Sequence, residues 1–295
     1  MKANLVCAGG GLRGVGIVGA LCALEREGIS WEKAAGVSSG AIIASLIAVG
    51  YTAHEIKKMM IDFNFLKFKD KGVLGKIPFV GNAIGLVKDK GIYSGKKLEK
   101  WMEKLLEEKG VRTFQDLNGD NGMRLKVIAS DITSKKEMIM PDCFEEYGID
   151  INKFTVAKAI RMSVSIPLFF KPVKIKVDGV LHYIVDGGVS TNFPIEIFDR
   201  ENNSIETIGI DYKYTENYGI KQDNAISYVL DIADTLTADR VRPALTEKNI
   251  KRTILIPCND LPITEFKLSR EAIIKLFKDG YKSARVFVQK RGVKT

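Results

Sequence analysis

Histidine and cysteine are scarce in this sequence of 295 residues, and their positions exclude several kinds of site. The histidines are His54 and His182, so few Ser-His-Asp triads can form. The cysteines are widely spaced and contain no C-x-x-C pair, which indicates neither a zinc site nor a disulfide framework. We expect reduced core thiols at Cys7, Cys22, Cys143 and Cys258.

Long apolar runs are also missing. The longest largely apolar stretch after the N-terminal strand, residues 40–50, is well short of the ~20 residues needed to cross a bilayer. The first residues, MKANLVCAGGGLRG, contain too short an apolar run for a secretory signal peptide. We therefore expect a cytoplasmic protein that does not span a membrane.

The chain is basic, with a formal net charge of +9, and a basic surface attracts membranes and nucleic acids alike. In residues 63–90, lysines alternate with aromatic and aliphatic residues, which favours peripheral contact with a membrane over nucleic acid. A solvated loop over an ordinary core is the alternative. The same segment is predicted to be a mobile lid because it contains the breakers Gly72, Gly75, Pro78, Gly81 and Gly85.

Strand and helix patterns alternate along the chain, which predicts an α/β fold with a mixed or mostly parallel central sheet flanked by helices. Strands are expected at residues 3–7, 31–37, 125–129, 137–140, 172–177, 180–185, 205–212 and 252–257. Helices are expected at residues 15–27, 39–49, 52–63, 96–109, 155–162, 225–238 and 270–289. No internal repeat or linker is visible, so residues 1–295 are predicted to form one domain.

The sequence Gly36-Val37-Ser38-Ser39-Gly40 matches G-x-S-x-G between a predicted strand and an apolar helix. Such an elbow exposes a serine hydroxyl, because the flanking glycines remove side chains that would collide in the sharp turn. The helix beyond it points free N–H groups at the serine and favours negative charge there. Ser38 is therefore a candidate nucleophile and Ser39 a candidate substrate-binding residue, although a structural turn would give the same letters.

A nucleophilic serine needs a base, and neither histidine fits well. His54 is expected on a helix surface, and His182 lies four strand residues before Asp186, roughly 13 Å from it at ~3.3 Å per residue. Asp186 ends a predicted strand and is followed by Gly187-Gly188, where a loop can approach closely. A Ser38–Asp186 dyad is available, but an ordinary aspartate, with a pKa near ~3.9, needs an apolar or hydrogen-bonded pocket to act as the base. An ordinary Asp-Gly-Gly turn is the alternative.

A glycine-rich segment follows the first predicted strand and opens a helix. Its backbone N–H groups are suited to an oxyanion hole, and its candidate residues are Gly9, Gly10, Gly11, Arg13 and Gly14. Arg13 could orient the loop, meet a phosphate or form a surface salt bridge.

The glycine segment also satisfies the dinucleotide pattern G-x-G-x-x-G. A dinucleotide site expects an acidic residue at the end of the second strand, whereas Glu32 lies at the beginning of that strand. It also leaves Ser38 and Asp186 without a role. No Gly-Lys-Ser/Thr follows the glycines, which disfavours a phosphate loop.

The three motifs occur in the order found in patatin-like phospholipases, which the chain resembles from about residue 3 to residue 194. The segment AIRMSVSIPLFFKPV also resembles that family, with matches at Ser163, Pro167, Phe170 and Pro172. Asp131 resembles an acidic position at the end of another family strand. Ala8 departs from the pattern, because an aspartate often precedes the glycines, and this puts substrate orientation at the loop in doubt.

The resemblance implies a metal-free and cofactor-free acyl hydrolase that cleaves phospholipids or related lipid esters. It implies Ser38 as nucleophile, Asp186 as base, and Gly10, Gly11 and Arg13 in the oxyanion loop. Two alternatives stay open. A lipid-binding or effector protein could keep the fold without chemistry, and an acyl transferase could pass the acyl group to an acceptor other than water.

Overall fold

The computed structural model describes residues 1–61, 90–201, 204–213, 245–258 and 269–292. The helix predicted at 225–238 and, apart from Lys90, the loop predicted at 63–90 lie outside the described residues. The strands are β1 (Lys2–Cys7), β2 (Ser30–Val37), β3 (Gly91–Tyr93), β4 (Asn118–Gly119), β5 (Gly122–Met123), β6 (Leu125–Asp131), β7 (Lys136–Met140), β8 (Leu168–Phe170), β9 (Val173–Val177), β10 (Val180–Asp186), β11 (Thr207–Lys213) and β12 (Thr253–Pro257).

The α-helices of the described residues are α1 (Gly14–Arg26), α2 (Ser39–Ala48), α3 (Ala53–Ile61), α4 (Lys96–Glu107), α5 (Val156–Ser163), α6 (Glu247–Lys251) and α7 (Arg270–Lys290). Thr52 caps α3 as predicted: its hydroxyl accepts the Glu55 N–H at 3.2 Å, while the Glu55 carboxylate accepts the Thr52 N–H at 2.7 Å. Among the described residues, none of the helices has both the length and the apolar character needed to cross a bilayer.

The main sheet is mixed, and its described strands follow the order β12-β11-β1-β2-β6-β10-β9, with β7 also on β6. The run from β12 to β6 is parallel, whereas β7, β9 and β10 join by antiparallel pairing. β6 is entirely buried, β1 is buried after its first residue, and β2 is buried from Lys33 to Val37, as expected for strands covered by helices. The predicted α/β fold with a mixed sheet is confirmed, while the extent of one domain over residues 1–295 stays a prediction.

The end of β2 meets the end of β10 along one edge of β6. β7 pairs with residues 127–131 of β6 and so occupies one edge of that strand. β2 pairs with residues 125–128 and β10 with residues 129–131, so both use the opposite edge. β2 runs parallel to β6 and β10 antiparallel, so the carboxyl ends of two strands that are distant in sequence come together. This arrangement positions the candidate site.

The cysteines are free thiols, as predicted. Cys7 and Cys258 are buried, while Cys22 and Cys143 are partly buried against the core.

Candidate active site

The turn between β2 and α2 is a tight elbow with Ser38 at its tip. Ser38 has φ 53° and ψ −124°, a strained conformation for a residue with a side chain. A Cβ atom on Gly36 would overlap the Gly40 backbone, and one on Gly40 would overlap the carbonyl groups of Cys7 and Ala8. Both glycines of the G-x-S-x-G sequence are therefore required by close backbone approach, which supports the predicted elbow.

The Ser38 hydroxyl donates a hydrogen bond of 2.6 Å to Oδ2 of Asp186, 148 positions further along the chain. The second carboxylate oxygen of Asp186 accepts the Gly188 N–H at 2.8 Å, and the Asp186 N–H donates to the Ser165 carbonyl at 2.9 Å. Asp186 is 1% exposed and Ser38 is 8% exposed. The two residues predicted as a dyad are thus in direct contact, and both are buried.

Burial raises the pKa of Asp186 from 3.8 to about 7, because the ionised carboxylate loses its hydration. The hydrogen bonds from Ser38 and Gly188 stabilise the ionised form and oppose this rise only in part. An ordinary aspartate is too weak a base to accept a proton from a serine hydroxyl. Burial makes Asp186 a stronger base, because a carboxylate with a pKa near neutrality binds a proton more tightly.

The two histidines lie elsewhere. His54 is exposed on α3, and Nδ1 of His182 lies 2.6 Å from Oδ2 of Asp131. Asp131 also accepts hydrogen bonds from Ser134 and Tyr147. Burial acts to raise the Asp131 pKa, but hydrogen bonds from Ser134, His182, the Thr133 N–H and Tyr147 outweigh it and hold the pKa below its usual value. His182 thus belongs to a polar cluster at the end of β6, in line with its predicted structural role.

The glycine segment lies directly beside Ser38. Gly9 is held at two points by Asn192: its N–H donates to the Asn192 carbonyl at 3.1 Å, and the Asn192 side-chain amide donates to the Gly9 carbonyl at 3.3 Å. A Cβ on Gly9 would lie 3.3 Å from Cβ of Ser38, and one on Gly10 would overlap the ring of Tyr212. The backbone can pass so close to the serine because these positions carry no side chain.

The remaining predicted positions surround this segment. Gly11 has φ 56° and begins a short 3₁₀ helix, Gly11–Arg13, that leads into α1 at Gly14. Within the described ranges, no acceptor pairs with the N–H of Gly10 or Gly11. Ser39 opens α2, and its Cβ lies 3.6 Å from where a Cβ on Gly14 would be.

Arg13 is 5% exposed, so it does not lie on the surface of the fold. Its positive charge acts on Cys258, where it partly opposes the rise in thiol pKa caused by burial. The guanidinium is therefore inside the fold, near the end of β12.

Three residues at the end of α5 hold the dyad in place. The Ser163 hydroxyl accepts the Ser38 N–H at 2.9 Å, and the Ser165 carbonyl accepts the Asp186 N–H. The buried Arg161 side chain donates to the Ser165 hydroxyl and to the carbonyl of Lys171. Of these residues, Ser163 was predicted through the family resemblance alone. Arg161, Ser165 and Asn192 were not predicted from the sequence. In the sequence, Arg161 and Ser165 are marked only as polar residues within a largely apolar segment, and Asn192 lies in a polar turn without a distinguishing pattern.

Over the described part of the chain, no group of three His, Cys, Asp or Glu side chains is arranged to hold a metal ion.

The fold and this geometry define a class of protein. It is an α/β protein with a serine elbow at the carboxyl edge of a mixed sheet and an aspartate hydrogen-bonded to the serine of that elbow. The family model described as patatin-like phospholipase matches residues 5–199. The chain belongs to that family of lipid hydrolases.

Relatives by sequence span bacteria and viruses. An uncharacterized protein of Bacillus subtilis (strain 168), YqhO, is 33% identical over 286 residues, which are 96% of this chain and 97% of that protein. A protein of Invertebrate iridescent virus 6 named "Probable lipid hydrolase 463L" is 33% identical over 205 residues, which are 68% of this chain and 64% of that protein.

Solved structures share the fold at low identity. VipD from Legionella pneumophila matches with a TM-score of 0.57 and 18% identity, covering 98% of this chain and 67% of that chain. ExoU from Pseudomonas aeruginosa, in complex with SpcU, matches with a TM-score of 0.53 and 14% identity, covering 98% of this chain and 52% of that chain. Both are evidence for the architecture alone.

Proposed function

We propose that the protein is a serine acyl hydrolase that cleaves carboxylic esters of phospholipids or related lipids through a Ser38–Asp186 dyad. The observation that carries this proposal is the 2.6 Å hydrogen bond from the Ser38 hydroxyl to Asp186, made at the tip of a strained elbow. We further propose that it acts in the cytoplasm at the periphery of a membrane, where a lipid substrate is found.

In the proposed first step, the Ser38 hydroxyl oxygen attacks the ester carbonyl as its proton passes to Asp186. The negative charge that develops on the carbonyl oxygen is stabilised by the N–H groups of Gly10 and Gly11. The start of α2 favours the same charge, because Ser38 lies at the N-terminus of that helix. Asp186 then returns its proton to the leaving alcohol, and an acyl ester of Ser38 remains.

In the second step, Asp186 accepts a proton from water, whose oxygen attacks the acyl ester. The proton then passes from Asp186 to the departing Ser38 oxygen, which releases the fatty acid and restores the free serine. Asp186 can take and return a proton near neutral pH because burial raises its pKa to about 7. The same carboxylate therefore serves both half-reactions.

The test compares fatty acid release from phospholipid vesicles by the wild-type protein and by Ser38→Ala. A matched control is Ser45→Ala, which removes another buried serine of α2 whose hydroxyl bonds to the Ile42 carbonyl. Release and labelling by a fluorophosphonate probe should disappear in Ser38→Ala and persist in Ser45→Ala. Equal release from both variants would contradict the role of Ser38, and probe labelling without hydrolysis would favour transfer to another acyl acceptor.

A further inference from the structure

The β9–β10 arm, residues 173–183, extends beyond the sheet on the side of the candidate active site. β6 ends at Asp131, which pairs with Ile184, so the four residues from Val180 to Tyr183 lie past the carboxyl end of β6. At ~3.3 Å per strand residue, the arm protrudes by about 13 Å. Ser38 also lies at the carboxyl end of its strand, so the arm projects on the side where Ser38 is located.

The arm is an ordered hairpin with a tight turn. Val177 and Val180 pair across the turn, and Asp178 and Gly179 have φ 48° and 85°. Positive φ at both positions is the geometry of a type I′ turn, which matches the twist of the strands. The arm is therefore a defined surface of the fold.

One face of the arm is basic and partly apolar. Leu181 pairs with Lys176, and Tyr183 with Lys174, so these four side chains share a face. The opposite face packs on the core through Val173, Ile175 and Val177. Because the core anchors one face, the lysine-bearing face is presented outward.

The lysines of this face lack a carboxylate partner among the described residues. Lys174 and Lys176 are exposed, and the Lys90 ammonium lies 4.6 Å from the centre of the Tyr183 ring. The part of the chain that the structure describes provides no ion pair to Lys90, Lys174 or Lys176. Asp178, at the turn, is the acidic residue of the arm and offsets one of these charges.

Large apolar side chains are exposed at the tip. Val180, next to the turn, is 54% exposed, and Leu181 is 43% exposed. Ile132 is 48% exposed at the base of the arm, where its N–H donates to the Tyr183 carbonyl. Exposed apolar residues flanked by lysines form the amphipathic pattern of elements that insert shallowly into a lipid surface. An acidic protein partner would suit the lysines but would leave the apolar tip in water.

We infer that the outward face of the β9–β10 arm docks the protein on an anionic phospholipid surface, with Leu181 in the interface and Lys174 and Lys176 against the headgroups. The inference rests on the proposed function, because a lipid hydrolase must bring its site to its substrate. β10 ends at Asp186, six residues after Val180. At ~3.3 Å per residue, the dyad of the docked protein therefore lies about 20 Å from the tip of the arm.

The test measures partition of the protein onto sedimented vesicles of phosphatidylglycerol and of phosphatidylcholine. All variants are made in a Ser38→Ala background, so binding is independent of turnover. A lysine near an anionic surface contributes about fivefold to partition, so Lys174→Gln/Lys176→Gln should weaken binding to phosphatidylglycerol about 25-fold. Asp178→Asn should strengthen it about fivefold, since asparagine tolerates the left-handed turn conformation.

The matched control is Lys278→Gln/Lys282→Gln on α7, which makes the same change in net charge at two exposed lysines. It should bind phosphatidylglycerol as tightly as the parent, and each variant should keep the parent's thermal unfolding midpoint. Equal weakening by the arm and α7 variants would overturn the inference, because net charge alone would then explain binding. Absence of binding of the Ser38→Ala parent to phosphatidylglycerol would also overturn it. Normal docking of that parent, with no lipid hydrolysis by the wild-type protein, would instead refute the proposed function and leave the docking face standing.

Discussion

Replacement of Asp186 by asparagine should stabilise the fold at neutral pH while abolishing activity. The buried carboxyl has a pKa of about 7 in the folded protein, against 3.8 for an ordinary aspartate. Asparagine keeps the shape of the side chain and does not titrate. Its amide oxygen can accept the Gly188 N–H, and its amide nitrogen can donate to the Ser38 hydroxyl oxygen, so both contacts of the side chain can be kept.

The sign and size of the effect follow from proton linkage. Between the two pKa values, the folded protein holds a proton on Asp186 that the unfolded chain has released, so rising pH favours unfolding. Each pKa unit is worth about 1.4 kcal/mol, and pH 5 lies two units below the folded pKa of about 7. The free energy of unfolding of Asp186→Asn, relative to wild type, should therefore increase by roughly 3 kcal/mol between pH 5 and pH 8.

Urea unfolding at pH 5, 6, 7 and 8 measures this difference. Asp131→Asn provides a control of opposite sign, because hydrogen bonds hold the Asp131 pKa below its usual value. That variant should be less stable than wild type throughout the same pH range, whereas Asp186→Asn should be more stable at neutral pH. A constant difference between wild type and Asp186→Asn would refute the reasoning, since it would mean that the Asp186 pKa is not raised in the folded protein.

Three further outcomes are expected. The kcat/KM for a soluble ester should rise with pH through about 7, where Asp186 becomes ionised, and a flat profile from pH 6 to pH 8 would contradict its role as base. Ser163→Ala removes the acceptor of the Ser38 N–H and should lower kcat by about tenfold or more with little change in KM, as measured by steady-state kinetics. Gly40→Ala should destabilise the fold by about 2 kcal/mol or more, because the added Cβ would meet backbone carbonyls. Gly119→Ala adds a Cβ in open space and should leave stability unchanged, and thermal unfolding measures both variants.

Local signals predicted most of the sheet and the elbow. β1 and the second half of β2 are short, mostly apolar runs that end at glycine-containing turns, and such runs form buried parallel strands. The dipeptide Asp178-Gly179 predicted a hairpin because both residues adopt positive φ readily. These features depend on a few neighbouring residues, so sequence alone was sufficient for them.

The chemistry of Ser38 and Asp186 suggested that they are in contact. Their spacing along the chain does not predict this contact. The contact depends on β10 entering the sheet antiparallel, on the same edge of β6 as β2, with Asp186 opposite Ala129. No local pattern fixes that register. The pair of hydrogen bonds between Asn192 and Gly9 could not be predicted for the same reason, because it joins residues 183 positions apart.

The position of the site explains why an aspartate can take a role that histidine performs in many serine hydrolases. Where β2 and β10 meet end to end, the carboxylate is buried and has the Ser38 hydroxyl and the Gly188 N–H as its hydrogen-bond donors. Few donors and little water leave the charged form poorly stabilised, which raises its affinity for a proton. Burial of the ionised carboxylate destabilises the folded protein. Under the proposed mechanism, the same burial is what makes Asp186 a strong enough base. A variant that added a cation beside the carboxylate should therefore gain stability and lose activity together, because both properties depend on the same unfavourable charge.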